Sequence, residues 1–470
     1  MDDRLPAAAA TNGDILLLAC YELGHQPLSL AWPLAVLRGE GRQVAAQDLS
    51  VTSLDETLVR QARFVGIAVP MHTALRLGVS AARRVRALNP AAHICFYGLY
   101  AWMNATYLLG EAQVADSVIA GEAEGVLSRL VAALAEGRPA EAVDGVTTAT
   151  RQGAPVLERL KLPVPDRTGL PPLSDYAHYM YDRQAIQAGY VEASRGCLHT
   201  CRHCPVVPVY GGRFFAVPVE TVMPDIRQQV AAGAGHITFG DPDFLNGPGH
   251  ALRLAEALHA EFPHVTFDFT TKVEHILERR ALLPRLRALG ASFVVSAFEA
   301  TSDEVLAELQ KGHTVADMDE ALAILDEAAL PVQPTWVPFT PWTTLDDYRE
   351  MLGWIRSRGL IPHVSAVQLS IRLLIPPHSA LLDGGPLPSW LGPLDSANFT
   401  YRWVHPDPRM DILQQEVAAL VEQAADGDVY HIFRAVEQLA SDLAGVPAPT
   451  WTAPLLPDLP PPRLTEDWFC

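Results

Sequence analysis

Apolar residues in this chain fall into short runs that alternate with stretches of helical spacing, first over residues 14–137 and again from residue 189. In the first series Asp14-Ile-Leu-Leu-Leu-Ala-Cys20 reads as a buried strand, Pro27 to Arg38 as a helix, and Gln43 to Leu49 and Phe64 to Val69 as strands. His72 to Leu88 has helical spacing and carries Arg83, Arg84 and Arg86 near its C-terminal end, where cations oppose the helix dipole. His93 to Tyr97 and Asp116 to Ala120 are two more strands, and Glu122 to Ala135 is the last helix. Strict alternation of this kind predicts an α/β fold with a doubly wound, Rossmann-like parallel sheet.

Residues 138–188 lose the alternation. Pro155, Pro163, Pro165, Pro171 and Pro172 punctuate a segment too apolar for a free linker, which predicts a strap packed between two domains. The second series, 189–380, opens with Tyr190-Val-Glu-Ala-Ser194 and continues with strands at His236 to Phe239, Val265 to Thr270, Phe293 to Ala297, Val332 to Val337 and Val364 to Ser370. Six strands with helical patterns between them suit a partial (β/α)6 TIM barrel, whose chemistry is kept at the carboxyl ends of its strands. Residues 381–445 form a C-terminal helical extension, with helices predicted from Met410 to Ala424 and from Val429 to Leu443. Residues 446–470 carry seven prolines between Pro447 and Pro462 and read as an extended arm.

Composition narrows the class of function. A chain of 470 residues, 49% hydrophobic and 19% charged, has the makings of two globular domains. Its formal charge of −19, from 35 basic and 54 acidic residues, argues against a general nucleic-acid surface. No uninterrupted apolar run approaches the length of a membrane span, and Met1-Asp-Asp-Arg-Leu-Pro6 has no leader character, so a cytoplasmic location without a membrane partner is expected.

The sharpest chemical signal is Ser194-Arg-Gly-Cys-Leu-His-Thr-Cys-Arg-His-Cys-Pro205, which directly follows the first strand of the second series. Cys197, Cys201 and Cys204 stand in a C-x3-C-x2-C spacing; Cys20 and Cys95 lie in apolar runs and read as small buried hydrophobes. Three thiolates on one loop can hold three corners of a [4Fe–4S] cluster and leave the fourth iron open to another ligand. The same spacing also allows a zinc site completed by His199 or His203.

With its strand-borne cysteine loop, the second series resembles the radical S-adenosylmethionine (SAM) superfamily. That resemblance implies a [4Fe–4S] cluster on Cys197, Cys201 and Cys204, with the amino and carboxylate groups of SAM on the open iron. It places His203 near the adenine and puts Gly240 and Asp241, in Phe239-Gly-Asp-Pro-Asp-Phe-Leu-Asn246, where the family usually has Gly-Gly-Glu for the SAM amino group. Asp243 could do the same work, and an Asp-Pro turn would equally account for Asp241 and Pro242. Ser296-Ala-Phe-Glu299 resembles the family's fourth-strand motif, which places Glu299 at the SAM ribose or amino group, and Asp303 to Lys311 with Gly312 continues the family's helix closing in Lys-Gly. Arg372 corresponds to an arginine that contacts the SAM carboxylate in relatives, or forms a buried pair with Glu299 or Asp241. Lys272 and Glu274 face the same mouth; Gln368 needs a buried partner; Trp336 and Trp342 line the cavity or pack in the core.

The first series resembles the cobalamin-binding-like domain that precedes such barrels, through Tyr21-Glu-Leu-Gly-His-Gln-Pro-Leu-Ser-Leu30 and Asp116-Ser-Val-Ile-Ala-Gly-Glu-Ala-Glu124. Cobalamin is therefore a candidate third cofactor, although D-x-H-x-x-G is absent and Gly98-Leu-Tyr100 is bulkier than the usual Gly-Gly-Pro. Leu464-Thr-Glu-Asp-Trp-Phe-Cys470 resembles the tail of the radical SAM group whose chains end in Cys, then Cys or selenocysteine, then Ala-Glu-Pro (CUAEP/CCAEP). It makes Cys470 a candidate substrate thiol and suggests a selenocysteine codon read as a stop. Together these resemblances imply reductive SAM cleavage for small-molecule biosynthesis, with an external electron donor such as flavodoxin or ferredoxin and with aminocarboxypropyl transfer to thiol-bound arsenite as one form. The alternatives are a cobalamin-dependent methyltransferase and a non-enzymatic iron–sulfur or zinc regulator.

Overall fold

The computed structural model describes residues 14–157, 161–423, 427–451 and 460–466, and the chain divides into two compact units that meet in sequence at Tyr176 and Ala177. The first unit is built on six strands: β1 (Ile15–Ala19), β2 (Val44–Asp48), β3 (Phe64–Ala68), β4 (His93–Tyr97), β5 (Ser117–Ile119) and β6 (Val146–Thr147). Their order is β2-β1-β3-β4-β5-β6, parallel except for β6. Every residue of β1 and β3 is buried, as expected of continuous apolar runs covered by helices on both faces. The helices Leu28–Gly39 and Ala123–Ala135 supply Leu30, Leu34, Leu37, Val126, Leu127 and Leu130 to one continuous core.

The proline-rich stretch, as far as Tyr176, is fastened to this first unit. The Asp166 backbone N–H donates to the Ala31 carbonyl at 3.0 Å, and its carboxylate accepts from the Arg38 guanidinium at 2.8 Å. The Tyr176 hydroxyl donates to Asp48 at 2.8 Å.

The second unit contains β7 (His178–Tyr181), β8 (Gln184–Val191), β9 (Ser194–Gly196), β10 (Phe214–Ala216), β11 (His236–Phe239), β12 (Thr266–Thr271), β13 (Ala291–Glu299), β14 (Val332–Trp336), β15 (Leu391–Asp395), β16 (Thr400–Trp403) and β17 (Arg463–Leu464). Its main sheet runs β14-β13-β12-β11-β8-β7-β17; the strands from β8 to β14 are parallel and in chain order, the curved sheet of a partial barrel. The expected sixth strand, Val364 to Ser370, is not one. Ala366–Ser370 forms 3-10 turns, and the sheet is extended there only by the single parallel bridge between Phe339 and Arg372. An apolar run of this length does not distinguish a ladder from a buried turn, and here the Gln368 side chain accepts the Trp336 N–H at 2.9 Å.

The other edge closes differently from expectation. The C-terminal arm returns as β17, antiparallel to β7, with Leu464 packed beside Tyr179 and Phe293. Thr465 N donates to the His178 carbonyl at 2.8 Å, and the Gln333 amide on β14 donates to the Pro462 carbonyl at 2.8 Å. Residues 462–465 of the arm thus lie against both β7 and β14. The extension holds the helices Pro408–Gln423 and Val429–Ala444 and an unforeseen hairpin, β15–β16.

Candidate metal centre and SAM site

β8 delivers the chain to the cysteine loop at the carboxyl end of the barrel. β9 and β10 pair antiparallel and pinch the base of this loop, which runs from Cys197 to Cys204. Gly196 has φ +74°, and a Cβ there would overlap the Arg213 carbonyl and the Tyr210 ring, so no other residue fits the turn. Cys204 N donates to the Cys201 carbonyl at 3.1 Å, and Arg202 N donates to the Leu309 carbonyl at 3.0 Å. All three thiols are free, with Cys197 and Cys201 buried and Cys204 partly exposed. Burial raises the Cys197 thiol and pushes Cys204 up to about 12, so the thiolates that a metal requires would be produced by ligation itself. The Asn246 amide donates to Cys197 Sγ at 3.5 Å, a contact that the sequence reading did not assign.

Two aspartates follow β11, and they tie together different segments at the carboxyl end of the barrel. Asp241, expected to seat SAM, has both oxygens occupied: Ala193 N–H donates to one at 3.0 Å and the Ser194 hydroxyl to the other. It is 3% exposed, and burial pushes its carboxyl up to about 7. Asp243 is fully buried and accepts from Leu245 N at 3.0 Å, Thr271 Oγ1 at 2.8 Å, Lys272 N at 3.2 Å and His275 Nδ1 at 2.9 Å. Asp241 thus fastens the start of β9, just before the cysteine loop, and Asp243 fastens the end of β12 and the turn after it. Gly240 is required by packing, because a Cβ there would overlap the Tyr190 ring.

Asp243 also forms, with His199 and His275, a group spaced for a cation. Its chemistry is unfavourable for one: the Lys272 ammonium lies 3.2 Å from His199 Nδ1, and it also contacts Glu274. If His199 Nδ1 accepts from that ammonium, the neutral ring carries its proton on Nε2, the atom facing Asp243.

Glu299 ends β13 with φ +67°, uncommon for a residue bearing a side chain. Its Oε1 receives the Lys311 ammonium at 2.9 Å and faces His203 Nε2 at 3.4 Å. Burial alone would raise this carboxyl, but Lys311 and His203 outweigh it and hold the group well below the usual carboxylate range. The pair is 6% and 2% exposed. In the same unit, His199 Nε2, His203 Nδ1, both ring nitrogens of His313 and Ser296 Oγ are buried without a hydrogen-bond partner among the described residues.

One sequence expectation is redirected, and one of two alternatives is chosen. Arg372 pairs with neither Glu299 nor Asp241: its guanidinium meets Asp411 at 2.8 Å, donates to the Trp403 carbonyl at 2.8 Å and lies over the Trp403 ring at 3.5 Å. Trp336 is packed edge-on against Phe298 and Trp354 and belongs to the core. Cys470 lies outside the described residues.

A parallel α/β barrel with three free thiols on the loop after its first parallel strand defines a class, the barrel enzymes built around an iron–sulfur cluster. Comparison with known proteins gives the family. Residues 191–355, within the second unit, match the model of the Radical SAM superfamily, which makes the barrel of this chain a radical SAM domain. It is 24% identical over 229 residues to the anaerobic magnesium-protoporphyrin IX monomethyl ester cyclase of Synechocystis sp., covering 47% of this chain and 45% of that one. It is 23% identical over 229 residues to the hopanoid C-3 methylase of Methylococcus capsulatus, covering 48% and 43%. The chain thus spans about half the length of these curated relatives.

Among solved structures, the radical SAM methyltransferase TsrM from Kitasatospora setae superposes with a TM-score of 0.65 at 16% identity, over 89% of both chains. The cobalamin-dependent SAM radical enzyme OxsB gives 0.67 at 14% identity, over 87% of this chain and 67% of that one. These likenesses establish the fold of both units. The cofactors of the superfamily, a [4Fe–4S] cluster and SAM, fit what the site offers: three thiols for three irons, and buried polar atoms left without protein partners beside them.

Proposed function

We propose that this protein reductively cleaves SAM and uses the resulting carbon radical on a small-molecule substrate. The observation that carries the reading is the set of three free thiols, Cys197, Cys201 and Cys204, on a loop at the carboxyl end of a partial barrel. When bound, the cluster supplies one electron, taken from an external donor of the flavodoxin or ferredoxin kind. Its delivery to the SAM sulfonium would allow one carbon–sulfur bond to break into a neutral thioether and a carbon radical.

The residues of this chain would serve that reaction as follows. Cys197, Cys201 and Cys204 ligate iron, and the Asn246 amide steadies the Cys197 sulfur. Glu299 meets the SAM ribose or amino group, and His203, held beside it, lies against the adenine. Asp241 holds the strand that enters the loop and Asp243 holds the end of β12 with His275, so we give both a structural role. Arg372 could reach the SAM carboxylate only in competition with Asp411, so we give it a structural role. A cytoplasmic location agrees with free thiols serving as ligands.

A second reading, cobalamin-dependent methyl transfer, is favoured by the fold match with TsrM over 89% of both chains. The carboxyl edge of the first unit's sheet does not show a built corrin site. At the amino end of helix Leu28–Gly39, where an anionic ligand group would bind, Glu22 already accepts from Leu28 N at 3.0 Å and Ser29 N at 3.3 Å. A Cβ at Gly98 or Gly121 would meet the chain's own backbone, at Val69 and Val156. We therefore derive no step through cobalamin. Aminocarboxypropyl transfer to thiol-bound arsenite rests on Cys470 alone and is not carried forward.

The test is anaerobic reconstitution, reduction in the presence of SAM, and mass spectrometry of the products beside a Cys201→Ala control. The proposal expects cleavage only by the intact protein. 5′-Deoxyadenosine would identify hydrogen abstraction, methylthioadenosine would identify aminocarboxypropyl chemistry, and S-adenosylhomocysteine would point to methyl transfer. A fully loaded cluster that leaves SAM intact would overturn it.

A further inference from the structure

Lys311 has no role in the reaction described so far, yet it is among the most deeply buried cations of the barrel, at 2% exposed. It ends the segment after helix Asp303–Glu308 and precedes Gly312, whose φ of +76° turns the chain sharply. Two contacts fasten this turn to the metal centre: Arg202 N in the cysteine loop donates to the Leu309 carbonyl at 3.0 Å, and the Lys311 ammonium reaches Glu299 Oε1 at 2.9 Å. The ammonium also interacts electrostatically with Cys201 and Cys204.

The division of labour within the Glu299 carboxylate is informative. Both protein contacts, Lys311 and the nearer His203 nitrogen, fall on Oε1, and Oε2 makes no hydrogen bond to any described residue. A carboxylate has about four lone-pair positions, so an oxygen left in this state is available to a ligand donor. Clamping Oε1 fixes the rotation of the group and thereby the direction in which Oε2 is presented. Without the clamp, a buried carboxylate at a strained backbone position would be uncompensated and would turn or take up a proton.

We propose that Lys311 is the positioning residue of the SAM site: it clamps Glu299 through Oε1 so that Oε2 meets a donor of SAM, and its buried charge favours the reduced cluster. The inference rests on the SAM-cleaving reading above. The electrostatic half follows from charge counting. Three thiolates and a [4Fe–4S]2+ core carry a net charge of −1, and one added electron makes it −2, so a nearby cation stabilises the reduced form more than the oxidised one. The electron comes from the external donor, and Lys311 neither gives nor takes a proton.

The experiment compares wild type, Lys311→Met and Lys311→Arg, each reconstituted anaerobically and matched for iron content. Two quantities are read without turnover: the midpoint potential of the cluster, followed by its electron paramagnetic resonance signal, and the affinity for SAM by calorimetry on the oxidised protein. Lys311→Met is expected to move the potential to more negative values and to weaken SAM binding by about tenfold, roughly the loss of one charged hydrogen bond. Lys311→Arg, which keeps the charge and a donor, is expected to recover most of both. If Lys311→Met holds a full cluster with wild-type potential and wild-type affinity, the proposal is overturned. A purely structural lysine would lower cluster content or thermal stability without moving the potential of the clusters that form, and that result also overturns it. If wild type itself fails to bind SAM with a full cluster, the SAM-cleaving reading falls and takes the inference with it.

Discussion

Glu299 and Asp241 are two buried carboxyl groups, each set at the end of a barrel strand, and their surroundings drive them in opposite directions. Glu299 is kept charged by Lys311 and His203, whereas Asp241 has only neutral donors and is pushed up to about 7 by burial. Because its folded value lies above the ordinary 3.8, Asp241 contributes stability that is complete below that value and is lost as pH rises toward about 7. Asp241→Asn keeps an acceptor and removes the titration. Thermal unfolding of wild type should therefore lose ground relative to Asp241→Asn between pH 5 and pH 8, and parallel curves would contradict the assignment. Gly240→Ala should cost about 1–3 kcal/mol, because the added methyl must displace the Tyr190 ring; equilibrium unfolding would measure it. The three cysteines proposed as ligands stand out in the sequence because one loop carries them all. The Lys311–Glu299 clamp was not: Lys311 was visible only as part of a Lys-Gly pattern, and its partner is set by how the turn folds back on the strand end.

Among the elements, the five parallel strands of the first unit were legible almost to the residue, since buried parallel strands are continuous apolar runs with sharp ends, whereas the two-residue antiparallel β6 lay unforeseen in the proline-rich stretch. The same signal misled at Val364 to Ser370, where the run is buried but its backbone does not join the ladder. The hairpin β15–β16 was missed because Gly392 and Pro393 interrupt any alternation. In β17 only two residues pair, beyond a proline-rich arm that gives no strand signal. That short strand nevertheless has a definite role at the edge of the barrel. Thr465→Pro removes both the N–H that reaches His178 and the hydroxyl that accepts the His178 N–H. Hydrogen exchange at the His178 amide should quicken in this variant, with the Phe239 amide in the barrel interior unchanged. An unchanged His178 amide would show that the arm does not hold the edge in solution.

At the scale of the whole molecule, two units of different fold serve one proposed chemistry, with every proposed iron and SAM contact on the second. The first unit has the strand order of a ligand-binding sheet, but Glu22 fills the helix terminus at its edge. The account accordingly expects SAM cleavage by protein free of cobalamin, at a rate that added hydroxocobalamin does not raise. Dependence on cobalamin would return the methyl-transfer reading to the front. Sequence resemblance brought both domains into view because their folds are written in strand periodicity; whether the first retains a ligand depends on side chains that periodicity does not report.

The central claim is that Cys197, Cys201 and Cys204 hold a cluster with one iron free for SAM. Mössbauer spectroscopy of protein reconstituted with 57Fe, before and after SAM is added, tests it most directly. The account predicts four irons per chain, one of them distinct from the other three, with the signal of that iron alone changing when SAM binds. Four equivalent irons, a spectrum indifferent to SAM, or preferential uptake of zinc would contradict it.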